Sequence, residues 1–353
     1  MFQMASFYHA HYFFDAIAAA RLFGISFILL GTPAFAQTPA VEEVLGVLEM
    51  DKVQIAELEQ GQPVGYALSE GSDDELAVGL VWYLPVALSK VAGQLRLENP
   101  DPLDVDVIAH GILTAHSGAA PLTPVVLSRE EAPAFLDAVP GDEFNLSAHE
   151  IDQLKTFRQT LKRTPYRAIE DAAGEHFREI LLQRYETYRH GGMNAIAPYA
   201  RKESKDSKPS LELHQAANES PILSRYFPAL HKVWLDYPKA LPPGASEVFP
   251  WVEKKVEGRS AAILRHRINI DWNGGVLVLT REYYAPHSYN SSQWITGCLP
   301  YRDGTVIFQQ VRSFTDQVAG VASDVKHIVG RALLKDKMLK SFGRLCSILS
   351  QCH

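Results

Sequence analysis

The sequence predicts an α+β fold: an antiparallel β-sheet made of a hairpin and a four-stranded meander, a long C-terminal helix across it, and an all-helical central block. Three observations carry this. Apolar and polar residues alternate with the period of a strand over residues 62–84 and again over 261–314. Apolar residues recur at helical spacing through 147–237. The closing stretch "SDVKHIVGRALLKDKMLKSFGRLCSIL" keeps an apolar side of Val325, Ile328, Ala332, Leu339, Phe342 and Leu349.

Each element has its own signal. Val41 to Gln60 reads as amphipathic helix, with Asp51 capping its second half and Gly61 as its stop. "PVGYALSE" and "ELAVGLVWYLP" alternate on either side of Gly71-Ser72-Asp73-Asp74, which predicts a hairpin. Val86, Leu88, Val91 and Leu95 give a helix that stops at Asn99-Pro100, and "VDVIAHGILTAH" gives a strand. Pro121, Pro124 and Pro133 mark an irregular segment. Ser147 with Glu150 forms a capping box for a helix from Ala148 to about Lys162. A longer helix follows from Tyr166 to His190, closed by Gly191-Gly192. "ARKESKDSKPS" predicts a solvated loop. Shorter helices over 211–217 and 222–235 run into the proline-rich "YPKALPPGASEVFP". The meander then comprises "AAILRHRINIDW", "VLVLTREYYA", "QWITGCLPY" and "TVIFQQVRSF", with turns at Asn273-Gly274-Gly275 and Arg302-Asp303-Gly304.

Residues 1–36 are expected to be a secretory signal: Arg21, an apolar run from Leu22 to Leu30, and a small-x-small end at Ala34-Phe35-Ala36, with cleavage before Gln37. The run is too short to span a bilayer. Residues 37–353 are expected to form one soluble, periplasmic or secreted α+β domain with 147–237 as a helical insertion. A net charge of −7, unchanged by losing Asp15 and Arg21, argues against nucleic-acid binding. With 46% hydrophobic residues the chain can fold by burial alone. The odd cysteine count (Cys298, Cys346, Cys352) and the absence of zinc spacings predict free thiols and no structural metal.

Two resemblances follow from these residues. The order of elements from Gly61 to Leu349, closing with strands and then a long helix, resembles the helix-grip architecture of START-like lipid-transfer domains, and implies a cavity between sheet and last helix. The blocks "QIAELEQGQPV", "PGDEFNLSAHEIDQL", "YRHGGMNAIAPYA" and "EYYAPHSYNSSQWITG" are similar, in the same order, to blocks of a family of exported bacterial proteins of unknown function. That likeness implies a single cooperative unit and no transferable activity. The cysteines that often flank the Pro-Gly-Asp block in that family are absent here.

No reaction-defining motif is present. Cys298 and His287 are a thiol and imidazole pair close in sequence, yet about 25 Å of extended chain separates their expected positions. His110 and His116 share a strand face about 20 Å apart, too far to share an ion. His266, Glu282 and Tyr284 are expected on one apolar sheet face. There they are either satisfied core groups or, with His287, Trp294 and Phe342, the polar and aromatic wall of an apolar pocket. The function expected is non-enzymatic binding of a lipid-like or aromatic molecule, without a cofactor. The alternatives are a hydrolase or isomerase using His266 or His287 with Glu282, and an envelope interaction protein with no cavity. The C-terminal helix carries six basic residues against one acidic from Lys326 onward, so peripheral contact with an anionic membrane is a further expectation.

Overall fold

A computed structural model describes residues 40–349 except Ala67, 98–102, Val105, Asp142 and 162–164. The expected signal over 1–36 and the Asn99-Pro100 helix stop lie outside the described residues. Asp51 divides the first helical stretch into α1 (Val41–Val47) and α2 (Lys52–Glu59). Its carboxylate accepts from the Val53 and Gln54 N–H groups, while the Gln54 side chain accepts from the Asp51 N–H. β1 (Val64–Tyr66) pairs antiparallel with β2 (Glu75–Leu84), then come α3 (Leu88–Arg96) and β3 (Val107–Leu113). The proline-marked stretch expected to be irregular contains α4 (Glu131–Leu136); Pro133 stands in its first turn, where no intrahelical N–H bond is lost.

The central block holds α5 (Ala148–Thr160), α6 (Tyr166–Gly191), α7 (Pro209–Asn218), α8 (Pro221–Tyr226) and α9 (Pro228–Leu235). Ser147 and Glu150 close the expected capping box. Gly192 ends α6 at φ +62°, and a Cβ there would stand 1.7 Å from the Tyr237 carbonyl oxygen, so only glycine fits. Pro228 divides the helix expected over 222–235, because the residue before a proline is driven out of the helical region. Residues 200–210 are more than a solvated loop. Tyr199 bridges Ser207, and Arg201 reaches Asp316 at 2.7 Å and Asn145 at 2.8 Å.

β4 (Ala245–Val256), β5 (Arg259–Trp272), β6 (Gly275–Tyr284), β7 (Ser291–Tyr301) and β8 (Gly304–Phe314) form a five-stranded meander inside one antiparallel sheet of order β1-β2-β8-β7-β6-β5-β4-β3. β4 corrects the expectation of four strands. It contains Pro250, and the β4–β5 ladder passes from Val248↔Arg267 to Trp251↔Leu264, so the proline falls where no pairing with β5 is made. Its turn, Glu257-Gly258, takes positive φ at both residues, as Asn273-Gly274 does.

Both sheet faces are buried: β6 is buried at all ten positions. On one face Leu277, Leu279, Ile295 and Phe308 pack with Leu223, Leu230 and Trp234 of the helical block. On the other, Val276, Val278, Cys298 and Ile307 pack under α3 and α10 (Ser323–Leu349). α10 buries Met338, Phe342, Leu345 and Leu349. The expected apolar residues Val325 and Ile328 are 61% and 62% exposed, so only the C-terminal half of the helix packs as predicted. Cys298 is a free, buried thiol. Cys346 is disulfide-bonded, against the expectation of a free thiol. Residues 39–353 cluster as one compact unit.

Candidate functional site

Between the α10 face of the sheet and α10 itself lies a cleft of about 420 Å³, within the range of small-molecule sites. Val256, Val311, Leu333, Leu334 and Met338 supply an apolar wall from β4, β8 and α10. A recess of about 90 Å³ adjoins it, sharing Leu103, Asp104, Trp294, Gln309 and Ser341, and reaching Phe342 and Leu345. Two other hollows are less suited. One of about 720 Å³ is a surface depression beside α4 and α5. One of about 410 Å³ lies in the helical block beside the Glu150–Arg184 ion pair.

The floor of the cleft is polar and enclosed. The two-residue turn between β5 and β6 pairs Trp272 with Gly275, and counting outward from it sets Arg265 opposite Glu282. Arg265 donates from Nε and Nη2 to Glu282 Oε1 at 2.9 and 2.7 Å, with both side chains 2% exposed. The Tyr289 hydroxyl donates to Glu282 Oε2 at 2.6 Å. Burial raises the Glu282 pKa, but the charges of Lys254 and Arg265 and the bonds from Tyr289 and Arg265 outweigh it, holding the carboxyl below its usual range. Glu282 is therefore an ionised carboxylate with hydrogen-bond partners on both oxygens. Lys254 enters from β4 with its Nζ 3.6 Å from Asp104 Oδ2 and 3.9 Å from Glu282 Oε1, in ion-pair but not hydrogen-bond range. Burial pushes its pKa below the usual lysine range, against the pull of Glu282. The Trp294 ring lies 5.6 Å from Lys254 Nζ and 5.1 Å from the Arg265 guanidinium carbon.

The expected site residues do not share one place. Glu282 and Trp294 line the cleft, and Phe342 lines the recess. His266 is on the opposite face, opposite Arg281 rather than beside Glu282. This corrects the expected common face of His266, Glu282 and Tyr284. A bulge between Leu264 and Arg265 puts Tyr284 opposite Leu264, and both Tyr283 and Tyr284 enter the core of the helical block. His266 is fully partnered. Its Nε2 meets Glu247 at 2.9 Å, its Nδ1 meets the Tyr188 hydroxyl at 2.9 Å, and burial drives its pKa down to about 4. A neutral ring donating to the carboxylate then accepts the tyrosine proton, and Arg281 donates to the same Tyr188 oxygen. Tyr284 packs its ring under Arg184, 4.3 Å away. His287, buried at the β6–β7 connection, bonds the Ser260 carbonyl and the Ser288 hydroxyl, and burial lowers its pKa. Burial pushes the Cys298 thiol up to about 11. Among the described residues no cluster of three or more His, Cys, Asp or Glu is placed to hold a metal.

No family model and no curated protein matches the sequence, so the likeness to an exported family stays a resemblance. Among solved structures, the crystal structure of Ara h 8.0201 is similar to this chain at 15% sequence identity and a TM-score of 0.23, over 33% of this chain and 72% of that one. A TM-score this low adds no weight to a functional reading, which rests on the cleft's own chemistry.

Lys254, Arg265, Tyr289 and Asp104 are cleft residues that the sequence reading missed. The turn count that pairs Arg265 with Glu282 was the signal available for one of them. Lys254 sits on the strand that was missed.

Proposed function

We propose that this protein binds a hydrophobic small molecule, non-enzymatically, in the cleft between the sheet and α10. The observation that carries the reading is an apolar-walled cleft of about 420 Å³ over an enclosed cluster of charged and hydroxyl groups, the combination typical of ligand sites. The separation of His266 from Glu282, and the commitment of both Glu282 oxygens, favour binding over acid–base catalysis. The proposal includes export, on the strength of the leader read in residues 1–36. It also includes peripheral membrane contact through α10, whose Val325, Ile328, Val329 and Leu333 are exposed beside basic residues.

The test is displacement of an environment-sensitive apolar dye. Wild type should bind the dye with a saturable isotherm, and Leu334→Trp, which fills the cleft from α10, should weaken binding at least tenfold with its circular dichroism and melting temperature retained. Equal dye binding by the two proteins would remove the cleft as the site.

A further inference from the structure

We infer that Lys254 is the head-group receptor of the cleft, and that the ligand class it selects is a single-chain amphiphile ending in a carboxylate. The inference deepens the proposed function and rests on it.

The reasoning starts from what the enclosed groups lack. Glu282 is largely committed, since Arg265 takes one oxygen twice and Tyr289 takes the other. Lys254 differs: its side chain is 10% exposed, yet the nearest carboxylate oxygens, 3.6 and 3.9 Å away, lie beyond hydrogen-bond distance. An ammonium carries three donors, and leaving them without close acceptors in an enclosed site is unfavourable by an amount that an arriving acceptor recovers. Sign follows from the charges around it. Of the cleft groups that are almost wholly buried, Lys254 and Arg265 are cations and Glu282 is the anion, while Asp104 stands nearer the mouth with 21% of its side chain exposed. With Glu282 already bonded to Arg265 and Tyr289, the Lys254 charge is met only by long contacts, to Glu282 at 3.9 Å and to the partly solvated Asp104 at 3.6 Å. A carboxylate would supply both acceptors and charge, giving a charge-assisted bond in place of a long contact.

The rest of the molecule follows from the wall. From Lys254 the cleft is bounded by Trp294 and then by Val311, Leu334 and Met338, apolar surface that suits an alkyl chain. Its volume is near the lower end for ligand sites, which fits one chain rather than two.

The experiment compares dodecanoate with dodecan-1-ol, equal in chain length, by calorimetric titration of the purified whole chain at pH 7.5, for wild type, Lys254→Met and Lys254→Arg. Wild type should bind dodecanoate at least tenfold more tightly than the alcohol. Lys254→Met should lose that preference, and Lys254→Arg should keep it. Equal affinity of wild type for the two compounds, or a preference that survives Lys254→Met, overturns the head-group inference and leaves the cleft reading standing. Binding of neither compound, together with no dye binding, overturns both. Should Lys254→Met fail to fold, Lys254→Gln takes its place, and the wild-type comparison alone still decides the selectivity.

Discussion

Replacing Arg265 with methionine should destabilise the protein by about 3 kcal/mol, and the number follows from the geometry of the cleft floor. Methionine keeps most of the volume, so the loss is electrostatic. Arg265 gives Glu282 two hydrogen bonds, at 2.9 and 2.7 Å, with both side chains 2% exposed. Unit charges about 4 Å apart attract by ~4 kcal/mol at an effective dielectric of 20. Removing one member of a buried pair costs ~3–5 kcal/mol, because the other charge is left uncompensated. Lys254, 3.9 Å from Glu282, and the Tyr289 bond remain, which sets the expectation at the low end. The double variant Arg265→Met/Glu282→Met leaves no orphaned carboxylate and should lose less than the single one. Equilibrium urea unfolding at pH 7 measures both. A loss below ~1 kcal/mol for Arg265→Met, or a larger loss for the double variant, refutes the description of this floor as an enclosed, mutually satisfied pair. Acid adds a check. The Glu282 pKa is lowered in the folded state, so its stabilisation is present above the unfolded carboxyl range and is lost as pH falls through the folded value. The deficit of Arg265→Met relative to wild type should therefore be full at pH 7 and shrink as pH falls, because protonation removes the Glu282 charge that Arg265 stabilises.

Three further outcomes are expected. His266 has its folded pKa depressed to about 4, so its contribution is intact above about pH 6.5 and is lost as pH falls toward 4; one imidazole should titrate near 4 by NMR, and its titration near 6.5 would contradict the buried Tyr188–His266–Glu247 chain. Cys298, buried with its thiol pushed up to about 11, should resist alkylation at pH 8 in native protein and react once unfolded; rapid native labelling would place it elsewhere. Anionic vesicles should co-sediment the protein at low salt, and Val325→Ser/Val329→Ser should release it; sedimentation unaffected by those changes would rule out the exposed stripe of α10 as the contact.

Much of the fold is legible in the sequence because its signals are local. The capping boxes at Asp51 and Ser147, the glycine that closes α6 and the Asn273-Gly274 turn each fix an element within a few residues. What fails depends on partners far along the chain. β4 is hidden because Pro250 reads as a breaker, and only the interrupted ladder to β5 shows how a proline is accommodated between two strands. The common face of His266, Glu282 and Tyr284 fails in two steps: the register set by the turn puts His266 opposite Arg281 and so turns Glu282 to the other face, and the bulge beyond Arg265 then takes Tyr284 off the face of Glu282. That Arg265 and Arg267 are buried has no signal in the sequence, because helices over both faces of an antiparallel sheet leave no periodic trace. The cleft floor draws Lys254, Arg265, Glu282 and Tyr289 from β4, β5, β6 and the loop after it, and no spacing in the sequence unites them.

Native mass spectrometry of protein purified without detergent, with solvent extraction of whatever accompanies it, tests the central claim most directly. An occupied cleft predicts a bound mass below about 1 kDa at one per chain, lost in Leu334→Trp. A bare mass for the wild type, with no uptake of dodecanoate, dodecan-1-ol or apolar dye on addition, would contradict it.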